Sequence, residues 1–400
     1  MKLQIKHINN TFNYGSLMMA TVIISALDKK NKNIKFYVDC SSDKDLERLK
    51  RETGINAIYR DNIGPGNNLI ERFSNKVKRV FLNRRINNIE QVIILGGDDI
   101  SEYYGIKILE TFLKEIEEQS KSKNLILLGQ TIGPFTEERG DMAKRCLKNT
   151  KIYCREDKCL SYLKSLNFKN VKNGMDLAFA ELPMQSHSND ILNKYKLKKD
   201  EYICIVASGL STCYTNNITD YIEEYINILN VIIHNERLTD KKIVLLPHVL
   251  LPRNVDDRLV INEMVNNLNP DLKNGIISIN DELLPSEARA ILGGGIFTIT
   301  GRMHAAVSTF FMGKPAISLS YSVKYAGVIG EGLDMNELII EAAVDKLWKD
   351  RMISEIINKK ICYVLDNYDQ LAEKINKNIG QTTEIIKNEL DDLANEIIKI

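Results

Sequence analysis

Residues 92–129 read VIILGGDDISEYYGIKILETFLKEIEEQSKSKNLILLG. A short β-branched run ends on two glycines, a helical stretch runs through ILETFLKEIEEQ, and a second apolar run, LILLG at 125–129, closes the segment. Strand, helix, strand is the βαβ unit of a parallel sheet. Upstream the same alternation runs through LQIKHI, a helix from Leu17 to Leu27, IKFYV, a helix over DKDLERLKRE, and a long helical stretch from Leu69 to Asn87. Downstream come a helix near 137–149 and the run IYC at 152–154. One open, largely parallel sheet accounts for all of it.

From Glu181 to Asp200 the pattern lapses into ELPMQSHSNDILNKYKLKKD, whose proline, scattered polar residues and lysines read as a linker. The alternation then restarts. YICIVA (202–207), a helix from Asp220, IVLLP (243–247), a helix through DDRLVINEMVNNL, GIISI, a helix after Pro285, FTIT, a helix from about His304, and AISLS compose a second open sheet. The expectation is an α/β chain of two such domains facing each other across a cleft. Residues 1–180 form the first, 181–200 the linker and 201–335 the second, with mostly helical sequence over 336–400. No internal repeat is evident.

Composition narrows the function. At 400 residues the chain exceeds what one core fills, and two domains of roughly 180 residues each are the natural expectation. Apolar (44%) and charged (27%) fractions are ordinary, which excludes a disordered or fibrous chain. Fifty-four basic against 53 acidic side chains leave a net charge of +1, too little to hold a nucleic-acid backbone, so any anion site must be built locally. Seven cysteines, an odd set without a C-x-x-C pair, read as reduced, packed thiols of a cytosolic protein. The start, MKLQIKHINNTFNYGS, lacks the apolar region of an export signal, and no apolar run reaches the length of a membrane span. The Leu69–Asn87 stretch, with Arg72, Lys76, Lys78, Arg79, Arg84 and Arg85 around an apolar stripe, can rest on an anionic membrane, though a solvated face is the commoner case.

In an open parallel sheet ligands bind beyond the carboxyl ends of the strands, so residues just after the apolar runs carry the function. Asn13-Tyr14-Gly15-Ser16 opens a helix whose free N–H groups suit an anion or a plain cap. Gly96-Gly97-Asp98-Asp99 pairs glycines that admit a ligand with aspartates that suit sugar hydroxyls; helix capping is an equal alternative. No further carboxylate or histidine stands near at metal-ligand spacing, so no metal is expected. Gln130 and Thr131, in GQTIGPF, offer donors towards the cleft, and Arg155 ends the IYC strand beside two acids. His248, after IVLLP, suits acceptor binding or a core role, and Lys324 follows AISLS. The sharpest group is TITGRMHAA at 298–306, which sets Arg302 and His304 after a glycine turn at a helix start, where an anion is favoured by about 0.3–1 kcal/mol.

NYGS, ILGGDD, LLGQTIGPF, CREDKCLSYL, MDLAF, GRMHAAV and PAISLSYSVKYAGV, in that order over roughly residues 9 to 335, resemble the motifs of polysaccharide pyruvyl transferases. The resemblance implies a GT-B-like fold of two Rossmann-like domains, phosphoenolpyruvate as donor substrate with no further cofactor, and a saccharide acceptor that is often lipid-linked. It implies Arg302 and His304 as catalytic, Arg155, Arg302, Lys324 and Gly301 around the donor, and the second domain as the donor side. Asn13, Gly15, Gly97, Asp98, Gln130, Thr131 and His248 are then acceptor-side candidates. Phosphoenolpyruvate carries a carboxylate and a phosphate and needs at least two fixed cations. An imidazole titrating near neutrality suits the acid that protonates its methylene carbon or the departing phosphate. Two rivals stand beside this reading. One is a nucleotide-sugar glycosyltransferase, for which Gly293-Gly294-Gly295 could serve as a diphosphate loop; the other is a catalytically silent subunit of a polymer-assembly complex.

Overall fold

The structure, a computed structural model, describes residues 1–63, 82, 86–136, 138–188 and 190–398. The basic stretch from Leu69 to Asn87 therefore lies almost wholly outside the described residues. The chain divides into two compact units.

Unit 1 is Met1–Thr11, Ser16–Pro183 and Glu384–Ile400. Its strands are β1 (Lys2–Lys6), β2 (Lys35–Val38), β3 (Ile58–Arg60), β4 (Gln91–Leu95), β5 (Asn124–Gln130), β6 (Thr150–Cys154) and β7 (Val171–Asn173). They pair in parallel in the order β3-β2-β1-β4-β5-β6-β7. The central strands are apolar without alternation because helices cover both faces of the sheet, and β4 is buried at every position.

Unit 2 is Phe12–Gly15 and Met184–Thr383. Its strands are β8 (Tyr202–Val206), β9 (Lys242–Leu245), β10 (Ile276–Ser278), β11 (Thr298–Thr300), β12 (Ala316–Ser320) and β13 (Ile339–Glu341), all parallel, in the order β10-β9-β8-β11-β12-β13. Both sheets reverse their winding once, between β1 and β4 and between β8 and β11. At such a switch point the connections leave in opposite directions and open a crevice at the strand ends.

These units differ from the bounds read in the sequence at three places. Residues 181–200 are not a linker. The helix Asp190–Lys194 buries Ile191 and Leu192, which join Leu197, Tyr202, Ile291 and Leu292 in the unit 2 core; three apolar residues among lysines hid it. Phe12–Gly15 belongs to unit 2 because it is laid along residues 248–250: the Tyr14 amide donates to the His248 carbonyl (3.1 Å), the Leu250 amide to that of Phe12 (3.0 Å), and Asn13 bridges Val249 in antiparallel fashion. Glu384–Ile400, the end of the helix Tyr368–Ile398, returns to unit 1, where Lys30 pairs with Asp391 (2.9 Å) and Lys151 with Glu396. Among the described residues no helix is long and apolar enough to cross a membrane.

Candidate functional site

In unit 2 the turn after β11 is held from three sides. The Gly301 amide donates to the Val206 carbonyl at 3.0 Å, and the Gly301 carbonyl accepts the Tyr214 and Tyr325 hydroxyls, each at 2.8 Å. A Cβ at position 301 would stand 2.9 Å from the Tyr214 hydroxyl, so the close approach requires glycine. Arg302 follows as the N-cap of the helix Met303–Phe311, its amide donating to the Thr300 hydroxyl at 2.8 Å.

The Arg302 guanidinium is buried and already engaged. Its Nε and Nη2 donate to Asp257 Oδ1 (3.0 and 2.7 Å), and Nη2 also to the Val255 carbonyl (2.8 Å). Burial works against its charge, but Asp257 outweighs that, and the group titrates above the ordinary arginine value. Only Nη1 makes no hydrogen bond among the described residues. Asp257 itself is fully buried; its Oδ1 also accepts the Gly209 amide (2.7 Å) and its Oδ2 the His248 and Val249 amides (2.9 Å each). One carboxylate therefore ties the ends of β8, β9 and β11 together.

His304 lies two residues beyond Arg302, half-buried, with its ring against the backbone of Gly15; a Cβ there would stand 2.1 Å from Nδ1. The Gly15 amide is turned by Asn13 Oδ1 (3.1 Å). Next to them the Tyr14 and His248 rings pack with centroids 5.2 Å apart. Burial first, then His304, Arg302 and Arg289, push His248 well below the usual histidine range, so it is a neutral imidazole near pH 7. Lys324 lies beyond β12 with Nζ 4.8 Å from the Tyr321 ring centroid. Burial raises the Cys213 thiol, and the charges of Lys324 and Arg302 oppose the rise.

Asn13, Gly15, His248, Gly301, Arg302, His304 and Lys324 thus all belong to unit 2. The remaining candidates belong to unit 1. The Gly97 carbonyl accepts the Thr131 amide (2.9 Å), and the Asp98 carbonyl the Ser101 hydroxyl (2.5 Å). A Cβ at the neighbouring Gly96 would meet the Gly129 carbonyl oxygen at 2.1 Å, which explains that glycine. Gln130 and Thr131 turn inward and do not present open donors. Gln130 Nε2 donates to the Ile94 carbonyl (3.2 Å), and the Thr131 hydroxyl donates to Glu156 (3.0 Å) while accepting Nε and Nη2 of Arg155 (3.1 and 2.7 Å). Arg155 is buried rather than solvated, with Glu156 at 3.5 Å and Asp176 at 3.6 Å. Burial pushes the Glu156 carboxyl up against the pull of Arg155. Among the described residues no group of three or more His, Cys, Asp or Glu is placed to hold a metal ion.

Residues 13–323 match the model of the polysaccharide pyruvyl transferases, a span that contains every candidate named above except Lys324, the next residue. The chain belongs to that family. A relative, the amylovoran biosynthesis protein AmsJ of Erwinia amylovora, is 22% identical over 322 residues, 78% of this chain and 72% of its own length. Among solved structures, this pyruvyl transferase family member is similar to a UDP-GlcNAc 2-epimerase from Neisseria meningitidis, at TM-score 0.60 and 12% identity over all of both chains. It is also similar to the E. coli ADP-heptose lipopolysaccharide heptosyltransferase II, at TM-score 0.50 and 11% identity over 92% of this chain and all of that one. These two likenesses show the fold alone, a two-domain α/β fold of the GT-B type.

In this family member, the residue that sequence reading missed is Asp257. The segment DDRLV reads as a helix start, and Asp256 does cap it, accepting the Arg258 amide at 3.0 Å. That local sense concealed the long-range one. Gly293 to Gly295 lie at the end of the helix Pro285–Gly294 and are packed, with Met312 and Tyr202 where side chains would go, so they do not form an open diphosphate loop.

Proposed function

We propose that this transferase moves the pyruvyl group of phosphoenolpyruvate onto hydroxyls of a saccharide, forming a cyclic ketal and releasing phosphate in the synthesis of a surface polysaccharide. Family membership supports the transferase and the saccharide. The observation that carries the donor is the β11 turn, where Arg302 Nη1, the start of the helix Met303–Phe311 and His304 are brought together. Helix N–H groups and a guanidinium edge are what a carboxylate or phosphate needs. In this reading His304 gives a proton to the methylene carbon as the first hydroxyl adds to C2, or to the phosphate as it departs, and a second hydroxyl closes the ketal. Nothing beyond phosphoenolpyruvate is required as cofactor. The seven free thiols fit a reducing, cytosolic compartment, and a lipid-linked acceptor would bring the enzyme to a membrane face.

Calorimetric titration with phosphoenolpyruvate, UDP and GDP tests the proposal. Arg302→Ala is the wrong probe, because it leaves Asp257 buried and unpaired at a cost of about 3–5 kcal/mol. Arg302→Lys keeps the charge and loses the fork. The expected result is phosphoenolpyruvate binding weakened at least about tenfold in Arg302→Lys, kept in His304→Gln with turnover abolished, and no response to nucleotides. Nucleotide binding without phosphoenolpyruvate binding would instead make this a glycosyltransferase.

A further inference from the structure

Beyond β12, unit 2 holds an aromatic ring that the reading so far does not use. Ser320 ends the strand with its hydroxyl donating to the Ser322 carbonyl at 3.2 Å, and the chain turns at once through Tyr321 and Lys324, both half-buried. Lys324 Nζ lies over the Tyr321 ring, 4.8 Å from its centroid, within the range at which a ring face attracts a cation. The ring is itself held. Two buried tyrosines meet it edge-on, Tyr214 with planes at 74° and Tyr325 with planes at 70°, the centroids 5.5 Å away in each case. The same two tyrosines give their hydroxyls to the Gly301 carbonyl, at the turn that carries Arg302. Tyr214 also donates to the Leu319 carbonyl of β12 at 3.1 Å and packs on Trp348, centroids 5.5 Å apart. One aromatic frame inside unit 2 therefore bears on the Arg302 turn at one end and on the Lys324 ammonium at the other.

What the frame uses at position 321 is the ring. The Tyr321 hydroxyl makes no hydrogen bond among the described residues, whereas those of Tyr214 and Tyr325 both do. An aromatic face attracts an ammonium through its quadrupole and brings no net negative charge, so it steadies a cation without cancelling that cation's pull on an anion. Arg302 is steadied in the other way, by the Asp257 carboxylate, and offers direction through its guanidinium edge. A lysine stem left to itself samples many rotamers, and ordering it on binding costs affinity. A stem already seated on a ring is spared part of that cost.

Resting on the phosphoenolpyruvate donor proposed above, we infer that Tyr321 is a positioning residue of the donor site: its ring, set against Tyr214 and Tyr325, seats the Lys324 ammonium so that the lysine meets the donor's anionic groups already in place. Tyr321 acts through Lys324, and its hydroxyl is dispensable.

The test varies position 321 and measures phosphoenolpyruvate binding by calorimetry. Tyr321→Phe keeps the ring and is expected to bind within about twofold of wild type. Tyr321→Leu removes it and is expected to bind about three- to thirtyfold more weakly, the span that a cation over a ring face covers. Phenylalanines carrying one, two and three ring fluorines, placed at position 321 by nonsense suppression, keep the shape of the ring and drain its face of negative charge. Affinity should fall stepwise along that series, whereas a ring that only packs would give a flat one. In a Lys324→Met background both the leucine and the fluorine effects should shrink to within about twofold, because the partner they act through is gone. A flat fluorine series in a protein that binds phosphoenolpyruvate would overturn the inference and leave the transferase standing. A Tyr321→Phe variant as weak as Tyr321→Leu, or a leucine effect that persists in Lys324→Met, would overturn it too. Should Tyr321→Leu fail to fold, the fluorine series decides alone. Wild-type protein that binds no phosphoenolpyruvate would remove the donor reading and this inference with it.

Discussion

Gly15 leaves its neighbour no slack: a methyl group there would lie inside the His304 ring, 2.1 Å from Nδ1. Its φ lies outside the left-handed range, so Gly15→Ala strains the imidazole position and not the backbone. A displacement of about 1 Å at a catalytic group can cost on the order of 100-fold. The variant is therefore expected to lose about that much kcat, with phosphoenolpyruvate binding within a few-fold of wild type. Phosphate-release kinetics beside calorimetry check this, and an undiminished kcat would take His304 out of the chemistry. Legibility at this scale followed local grammar. Gly301, Arg302 and His304 could be read because strand, glycine turn and helix start are contiguous in sequence. Asp257 could not, since its meaning lies in Arg302, 45 positions away, while its neighbourhood reads as an ordinary cap. Gln130, Thr131 and Arg155 were legible as strand-end residues but not in orientation, because which way a buried amide or guanidinium turns is set by carbonyls and carboxylates on other strands.

The elements of both sheets were visible in sequence wherever a buried strand made a continuous apolar run, which is the pattern parallel sheets impose. The three-residue edge strands β3, β7 and β13 were not read, although β10, equally short and at an edge, showed within GIISI. The last helix was legible as part of the helical sequence over 336–400, but which of its side chains are buried in unit 1 was not. Glu389 on that helix is buried in unit 1, with Oε2 accepting the Met175 amide at 3.2 Å and Oε1 without a donor among the described residues. Burial, with Asp176 adding, pushes its carboxyl up to about 8. Since the folded pKa lies above the unfolded value of about 4.3, the native state keeps a proton that the unfolded chain sheds, and stability falls as pH rises between them. The penalty is absent below about 4 and complete above about 8. Glu389→Gln is expected to melt a few degrees higher than wild type at about pH 8 and equally at about pH 4. Thermal melts across that range decide it, and a parallel offset at all pH values would mean that Glu389 stays ionised.

At the scale of the whole molecule, one helix belongs to both units: Tyr368–Ile398 runs in unit 2 up to Thr383 and in unit 1 from Glu384. The final stretch buries Ile386, Leu393, Ala394 and Ile397. Burying a large aliphatic side chain is worth about 1.5–3 kcal/mol, so removing three of them and an alanine takes several kcal/mol from a domain whose stability is of order 5–15. The loss should fall on unit 1, because unit 2 has its own core around β8 and the helix Pro285–Gly294. Trp348 allows the two to be separated. It is the single tryptophan of the chain and sits in unit 2, its ring 4.7 Å from that of Tyr221. A chain ending at Thr383 is expected to lose part of its far-ultraviolet circular dichroism at markedly lower temperature than wild type, with the tryptophan fluorescence transition moved by no more than a few degrees. If both signals fell together, the helix would be holding a single cooperative body, and the return of the chain to unit 1 would stabilise unit 2 as much as unit 1.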